Sequence, residues 1–191
     1  MAKTKSAKTA IGEIFDWLGF ATFCIVGVVL LLTFGFRQVS VDGSSMRNTL
    51  EHGDRLIMTP LTFNIENEDI VVISRNVMNN LNLNPAYSRA NNPIIKRVIA
   101  VEGQTVDINF ESGDVYVDGI IIDEPYITGT TSRSFGTEFP LVVSEGTVFV
   151  LGDNRDSSLD SRDVNIGLVD TRLILGRVNF RIFPLNRIGG V

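Results

Sequence analysis

The chain has 191 residues, which is enough for one modest domain and a short additional segment. Its formal net charge of -5 at pH 7 argues against a nucleic-acid partner, because such a partner selects clustered positive charge. A single cysteine, Cys24, and a single histidine, His52, exclude a disulfide framework and cannot build a His/Cys metal site.

The first predicted element is an apolar run over residues 17–36, which contains no charged residue. As a helix rising about 1.5 Å per residue it would span about 30 Å, the thickness of the hydrocarbon core of a bilayer. Lys3, Lys5 and Lys8 precede the run, and basic residues that flank a membrane helix remain on the cytoplasmic side. The run is therefore predicted to be a transmembrane helix with its amino terminus in the cytoplasm.

This helix divides the chain into three parts. We expect a cytoplasmic tail at residues 1–16, a transmembrane helix at 17–36 and a domain at 37–191 that lies outside the cytoplasm, anchored in the cell membrane. The alternative is a cleaved secretory signal, which has the same basic start. The run is long for such a signal, and no small-x-small cleavage site follows it directly.

Short apolar runs separated by turn residues follow the helix, and no long stretch has helical periodicity. Gly-containing dipeptides such as Asp118-Gly119 lie between the runs. The fold class is therefore mainly β, as a folded-over antiparallel sheet. Residues 76–92 contain seven asparagines and are predicted to form a surface loop. Seven strands are predicted, at residues 55–58, 69–73, 94–101, 105–108, 114–117, 147–151 and 173–180.

Lys96 is the first candidate for chemistry, because the chain after residue 37 contains twelve arginines but no other lysine. Arginine stays protonated in proteins, whereas a desolvated lysine can lose its proton and act as a base. On strand 94–101, Lys96 shares a face with Ile94, Val98 and Ala100, which predicts an apolar environment and a lowered pKa. The alternative is a lysine that protects an edge strand from aggregation. The pattern alone does not decide between the two.

The second candidate is the turn at residues 42–50, called the nucleophile turn below, which reads Asp-Gly-Ser-Ser-Met-Arg-Asn-Thr-Leu. A serine hydroxyl needs a neighbouring base to become a nucleophile. A turn that contains glycine exposes both the hydroxyl and backbone N–H groups that could hold an oxyanion. Most turns of this composition are only loops, so the pattern by itself does not indicate catalysis.

The third candidate is the polar loop at residues 152–163, which directly follows strand 147–151. A calcium loop is one interpretation, but in the register that starts at Asp156, Ser161 lies where glycine is required. In the same register Gly167 lies where the bidentate glutamate is required. A solvated turn and a hydrogen-bonded platform that orients a catalytic group both remain compatible with the sequence.

Together these segments resemble the type I signal peptidase family, from about residue 39 to residue 189. The nucleophile segment of that family reads Ser-Met, a variable residue, then Pro-Thr-Leu, and residues 45–50 read Ser-Met-Arg-Asn-Thr-Leu. Residues 95–99, Ile-Lys-Arg-Val-Ile, resemble the segment with the catalytic lysine, and residues 152–162 resemble the most distinctive family segment. Other similar segments follow the family order, at residues 53–57, 69–72, 123–127 and 181–189.

The resemblance implies a membrane-anchored serine endopeptidase that removes signal peptides from exported preproteins with a Ser/Lys dyad, and it implies no metal or organic cofactor. Ser45 would attack the scissile carbonyl group, and Lys96 would take its proton. Ser158 would hydrogen-bond the Lys96 amine, while an ion pair between Asp160 and Arg162 would support the polar loop. The Ser45 backbone N–H would help to hold the oxyanion.

Two positions of the nucleophile turn, Asn48 and Gly43, differ from the residues that some or most family members have there. Asn48 lies where proline is usual, which predicts a less rigid turn. Gly43 lies two residues before Ser45, where some family members have a serine that donates to the oxyanion and Gram-positive members have glycine. The resemblance therefore implies an enzyme of the Gram-positive type that relies on backbone donors. His52 lies in a polar turn and is predicted to be exposed rather than catalytic.

The resemblance also implies where a substrate would lie. In the family, the strand that enters the nucleophile turn and the strand with the lysine flank an extended peptide. Substrate side chains at positions -1 and -3 before the cut would enter shallow pockets, which predicts small residues there. The expected partners are therefore exported preproteins with such residues, together with membrane lipid. Six apolar residues are predicted to line the pockets: Val39, Val41, Met46, Leu50, Ile94 and Ile95.

Two other functions remain to be distinguished. A non-catalytic, membrane-tethered binding domain would also combine an anchor with a β domain, but it would not require a lysine paired with Ser45 and Ser158. A self-cleaving repressor-type protease uses a Ser/Lys pair too, but that family is soluble and linked to DNA, which the predicted anchor opposes.

Overall fold

The computed structural model of the protein describes residues 7–60, 64–74 and 93–191. Its chain forms two units, Met1–Arg37 and Gln38–Val191. The predicted surface loop at 76–92 lies outside the described residues, as do Lys3 and Lys5 of the predicted tail.

The first unit is a helix, α1 (Ala7–Phe34). Within it, Gly12–Leu30 is long and apolar enough to cross a membrane, with a mean hydropathy of 1.8. Large apolar side chains such as Trp17, Phe20 and Phe23 are exposed along this stretch. A helix that is apolar on all sides has the composition of a membrane-spanning segment. The helix extends beyond the amino-terminal end of the predicted span at 17–36, since the polar residues that precede Trp17 are also helical.

The second unit is built from antiparallel strands, and the prediction of a mainly β fold is confirmed. All seven predicted strands are present, three of them with the predicted ends and four with an end that differs by one to three residues. The described strands are β1 (Arg37–Ser40), β2 (Arg55–Thr59), β3 (Ile70–Ile73), β4 (Ile94–Val101), β5 (Thr105–Asn109), β6 (Asp114–Val117), β7 (Ile120–Ile121), β8 (Leu141–Val142), β9 (Thr147–Leu151), β10 (Val169–Asp170), β11 (Ile174–Phe183) and β12 (Gly189–Gly190).

The larger sheet has the order β1-β2-β11-β3-β4-β9-β10, with β12 paired to β11. Its longest strand, β11, pairs with β3 near its start and with β2 over the rest of its length. Shifts in register interrupt both pairings, and such bulges bend a strand and fold the sheet over. The smaller sheet has the order β7-β6-β5-β8.

Strand β4 lies in the middle of the larger sheet, and its side chains enter three hydrophobic clusters. Ile95 packs in the first cluster, and Ile94 and Val98 pack in the second, because successive residues of a strand point to opposite faces. A shift in register between Val98 and Ala100 moves Ala100 into the third cluster, which also receives the smaller sheet. Lys96 thus shares a face with Ile94 and Val98 as predicted, but not with Ala100.

Candidate active site

The nucleophile turn, between β1 and β2, holds Ser45 next to two buried anchors. Met46 and Leu50 are 1% and 0% exposed, and they pack in the first cluster with Ile95. The Leu50 N–H donates to the Met46 carbonyl group at 2.7 Å, which closes the turn. Gly43 has a φ of +101°, a left-handed conformation that glycine adopts without steric cost. Ser45 itself is only half-buried, so its hydroxyl lies at the edge of the core.

Lys96 reaches this turn from the centre of β4. Its Nζ donates a hydrogen bond to Ser45 Oγ at 2.7 Å, although the residue is only 3% exposed. Its partner residue on β3 is Val71, which is fully buried. A deprotonated amine at this distance can accept the Ser45 proton, because a general base must lie within about 2.6–3.2 Å of the group it serves.

The polar loop packs directly against the nucleophile turn. The Asn154 N–H donates to the Ser45 carbonyl group at 3.0 Å, and Asn154 Nδ2 donates to the Ser44 carbonyl group at 3.0 Å. A Cβ atom at Gly152 would lie 2.5 Å from the Ser45 carbonyl oxygen, so this approach requires glycine. Of the two interpretations left open by the sequence, the geometry matches the hydrogen-bonded platform rather than a solvated turn.

A buried ion pair between Asp160 and Arg162 supports this loop. Both side chains are fully buried, with Arg162 Nε and Asp160 Oδ1 2.8 Å apart and a second contact of 3.0 Å from Nη2 to Oδ2. Asp160 Oδ2 also accepts from the Gly152 N–H at 3.1 Å, and Arg162 Nη2 donates to the Arg155 carbonyl group at 2.9 Å. Removing either partner would leave a buried charge unpaired, which destabilises a fold strongly.

Ser158 is buried in the same loop, but it does not form the hydrogen bond to Lys96 that the resemblance implies. Within residues 7–60, 64–74 and 93–191, its Oγ has no hydrogen-bond partner. A Cβ atom at Gly152 would lie 2.1 Å from this Oγ and 2.5 Å from the Ser45 carbonyl oxygen, so Ser158 lies beside the nucleophile turn. The Lys96 amine donates to Ser45 Oγ.

The arrangement of serine, lysine and supporting loop can be compared with known proteins. A family model described as "Signal peptidase, peptidase S26" matches residues 14–183. The chain belongs to this signal peptidase family. Its members of the signal peptidase I type are membrane-anchored serine endopeptidases that remove signal peptides from exported preproteins, and this chain is an enzyme of that type.

Curated relatives share most of their length with this signal peptidase. Signal peptidase I of Bacillus caldolyticus is 33% identical over 185 residues, which cover 90% of this chain and 91% of the relative. Signal peptidase I of Bacillus licheniformis is 30% identical over 186 residues and covers 92% of both chains. A crystal structure of a signal peptidase I from Enterococcus faecalis is 25% identical, with a TM-score of 0.44, and covers 60% of this chain and 97% of that one.

A second ion pair lies next to Lys96, and its members were not among the predicted site residues. Arg97 donates from Nε and Nη2 to the two carboxylate oxygens of Asp153, at 2.9 and 2.7 Å, and the Thr49 hydroxyl donates to the same carboxylate. Burial opposes the charge of Arg97, but the contacts with Asp153 outweigh it and raise its pKa. The signal in the sequence was a charge beside Lys96 on a buried strand, since such a charge needs a partner.

Tyr126 covers the same arginine from another side. Its ring centroid lies 3.8 Å from Arg97 Cζ, within the range of a cation–π contact, and its carbonyl group accepts from Asn48 Nδ2 at 3.2 Å. Burial, with a further contribution from the Glu124 carboxylate, raises the pKa of Tyr126 above its ordinary value. Tyr126 is therefore a neutral phenol that links the nucleophile turn to β4. Sequence reasoning identified residues 123–127 only as a segment similar to the family.

Ile94 is separated from the other residues predicted to line substrate pockets. Ile94 packs against the second cluster, whereas Ile95 belongs to the first. The other residues are deeply placed, so a substrate could contact only their outer edges. These five residues meet in the first cluster: Val39, Val41, Met46, Leu50 and Ile95.

A backbone donor is available at Ser45. No residue in the described part of the chain accepts a hydrogen bond from the Ser45 N–H, which leaves this donor available for an oxyanion. At Gly43, the space that a Cβ atom would enter contains no atom within 4 Å. The Gly43 N–H donates to His52 Nδ1 at 3.3 Å.

His52 is exposed, as predicted, with 75% of its side chain accessible. Its Nδ1 also lies 3.4 Å from Asp42 Oδ1, a contact that is an ion pair only when the imidazole is protonated. Accepting from Gly43 requires the unprotonated nitrogen, so the two contacts alternate with the charge of the ring. Elsewhere in the described ranges, no three His, Cys, Asp or Glu side chains are grouped so that they could hold a metal ion.

Proposed function

We propose that Ser45 is the nucleophile and Lys96 the general base of this signal peptidase. The observation that carries the proposal is the 2.7 Å contact between Lys96 Nζ and Ser45 Oγ at a buried position on β4. Burial disfavours the charged form of an amine, so we expect the pKa of Lys96 to lie below that of free lysine. The neutral amine would then accept the Ser45 proton as Oγ attacks the scissile carbonyl carbon.

The remaining steps use the same two residues. The Ser45 N–H stabilises the oxyanion, and protonated Lys96 gives its proton to the leaving amine, which becomes the new amino terminus of the mature protein. The signal peptide remains as an ester on Ser45 Oγ. A water molecule then attacks this ester, Lys96 accepts the water proton, and that proton returns to Oγ as the signal peptide leaves.

The polar loop has a supporting role in this proposal. Asp160 and Arg162 hold the loop against the nucleophile turn through Gly152 and Asn154. Ser158 has a buried hydroxyl without a partner in the described structure, close to Ser45. We infer that the Ser158 hydroxyl accepts a hydrogen bond from the Lys96 amine when that amine turns away from Ser45 during the reaction.

The proposed substrate is an exported preprotein with small residues at positions -1 and -3. The support is the first cluster, where Val41 and Ile95 lie beside the nucleophile turn and are only 5% and 7% exposed. Pockets formed over such closely packed side chains are shallow and reject bulky groups by steric clash. Substrate side chains alternate along an extended peptide, so position -2 would point away from the enzyme.

The proposed topology places residues 1–16 in the cytoplasm, a membrane span at 17–36 and the catalytic domain at 37–191 outside, in contact with membrane lipid. The span is supported by the stretch Gly12–Leu30, which is long and apolar enough to cross a bilayer. The orientation is supported by Lys3, Lys5 and Lys8, which lie at the proposed cytoplasmic end.

The dyad is tested by measuring preprotein cleavage with Ser45→Ala, Lys96→Ala and the double variant. Because two residues that act as one unit are not additive, each single variant and the double variant should lose a similar amount of kcat, about a thousandfold or more. Lys96→Arg should be inactive as well, since arginine cannot accept the proton. Lys96→Met is the matched control for fold, because it keeps a long apolar side chain at the buried position. An active Lys96→Arg enzyme would overturn the general-base assignment.

A further inference from the structure

A hollow of 360 Å³ opens beside the nucleophile turn. One wall comes from the residues just before Ser45, and the other comes from the residues that lead out of the turn. None of these residues has a role in the proposed dyad. They are Gly43, Ser44, Arg47, Leu50, Glu51 and His52.

Arg47 differs from the other charged groups of this hollow. It is exposed, and no residue within 7–60, 64–74 and 93–191 forms a hydrogen bond, ion pair or ring contact with its guanidinium group. Glu51, on the same wall, is paired with Arg187 at 3.1 Å, and His52 lies against Asp42. The cationic group of Arg47 is therefore free to bind an anionic group that enters the hollow.

The position of the hollow matches the path of the leaving product. If residues before the cut lie along Val39 and Val41, the residues after the cut must continue beyond Ser45. An extended peptide advances about 3.3 Å per residue, so its first two residues after the cut lie within about 7 Å of the scissile bond. The Cα atoms of Ser45 and Arg47 are also at most about 7 Å apart, because only two peptide units separate them. The long side chain of Arg47 can cover the remaining distance.

We propose that this hollow binds the first residues of the mature protein, and that Arg47 selects preproteins with Asp or Glu at position +1 or +2. This inference rests on the proposed function, since it uses the same nucleophile and the same direction of the substrate. A carboxylate is favoured because it can accept two parallel hydrogen bonds from the guanidinium group. The contact is exposed to solvent, and exposed ion pairs change affinity by only about two- to fivefold.

The test uses the full-length protein and one preprotein with Ala at -1 and -3. Matched substrates carry Asp, Asn or Lys at +1, and in a second set at +2. For wild type, kcat/KM for Asp should exceed that for Asn by about two- to fivefold at one of the two positions, and high salt should reduce the ratio. Arg47→Gln should bring the ratio to about one. Arg47→Glu should make Lys the preferred residue.

The matched control is Arg133→Gln, which removes an exposed arginine that does not line the hollow. This variant should keep the wild-type ratio of Asp to Asn. A wild-type ratio of one at both positions, or a ratio that persists in Arg47→Gln, overturns the role of Arg47. If wild type cleaves all substrates equally and Ser45→Ala cleaves none, the inference fails while the proposed function stands. If wild type cleaves no preprotein, or Ser45→Ala remains active, the proposed function fails and the inference fails with it.

Discussion

Asn48 follows Ser45 by three residues and has an unusual backbone conformation. Its φ is +90°, in the left-handed region that asparagine tolerates better than most residues. Proline is restricted to a φ near -65°, so the turn of this chain cannot contain the proline that is usual in the family. The Asn48 side chain also donates to the Tyr126 carbonyl group at 3.2 Å. Asparagine therefore allows this turn to adopt a backbone conformation that proline cannot adopt. The expectation of a less rigid turn did not include this difference in conformation.

The substitution Asn48→Pro tests this conclusion. It should lower the free energy of unfolding by about 2–4 kcal/mol, because the backbone must leave its positive φ and the amide hydrogen bond is lost. Activity should fall further, since the change displaces the turn that holds Ser45. Asn48→Gly is the control, because glycine keeps the left-handed backbone and loses only the hydrogen bond, which is worth about 1 kcal/mol. The free energy of unfolding of both variants is measured by urea unfolding. An Asn48→Pro protein as stable as wild type would contradict the conclusion that the turn requires a positive φ at this position.

A single residue could be identified from the sequence where one property distinguished it from the rest of the chain. Lys96 was identified because it is the one lysine after residue 37, and the structure places its amine 2.7 Å from Ser45 Oγ. The hydrogen bonding of Ser158 was not predictable in the same way, because a hydroxyl group can turn to any of several neighbours, and in the described residues its Oγ bonds to none of them. The pair of Arg97 and Asp153 was missed because its members are far apart in the sequence, and only the fold brings them together.

At the scale of elements, residues 123–137 form a strap that lies across the polar loop and β4. The Thr128 N–H donates to the Asp153 carbonyl group at 2.8 Å, and the Arg155 N–H donates to the Thr128 carbonyl group at 2.9 Å. The strap also supplies one partner for each of three buried or nearly buried arginines: Tyr126 for Arg97, Glu124 for Arg155 and Phe135 for Arg162. Buried charges need partners, so the strap fixes the loop that holds the nucleophile turn.

The dependence of stability on pH gives a test of this strap. The pKa of Tyr126 is raised in the folded protein, so its contribution to stability is complete below the ordinary tyrosine value near 10 and is lost as pH rises above it. Tyr126→Phe has no proton to lose. The free energy of unfolding should therefore fall more steeply for wild type than for Tyr126→Phe between about pH 9 and 11.5, as measured by urea unfolding.

The control for the ring contact is Tyr126→Leu at pH 7. Leucine keeps apolar volume but removes the aromatic face over Arg97, so a loss of about 1–2 kcal/mol is expected relative to Tyr126→Phe. Parallel curves of stability against pH for wild type and Tyr126→Phe would show that Tyr126 titrates as an ordinary exposed tyrosine, and the tight packing of the strap would be contradicted.

The strands of this fold were more predictable than the strap. Short, nearly continuous apolar runs bounded by turn residues identified β4 and β9 with their correct ends, because both strands are buried along almost their whole length. The bulge that moves Ala100 to another cluster leaves no such trace, since it depends on the register between β4 and β9. The strap lacks long strands, and its polar contacts depend on side chains from distant segments.

At the scale of the whole molecule, the two units differ in what stabilises them. The unit Gln38–Val191 has three hydrophobic clusters of its own, and every residue of these clusters lies at or after Val39. The described side chains of α1 are exposed instead, and a helix of this composition is stable when lipid surrounds it. The catalytic domain therefore does not need the helix for its core.

Removing residues 1–36 should leave the folding of the remaining domain intact but reduce its activity on substrates in a membrane. The fragment 37–191 should melt within a few degrees of the full chain, because all three clusters remain. Its kcat/KM for a soluble peptide with Ala at -1 and -3 should stay within about threefold of the full chain. Its cleavage of a preprotein inserted in lipid vesicles should fall by on the order of tenfold or more, since an anchor raises the effective concentration at the bilayer. Attaching an unrelated apolar helix should restore that rate. A fragment that cleaves the vesicle-inserted preprotein as fast as the full chain would refute the role proposed for the anchor.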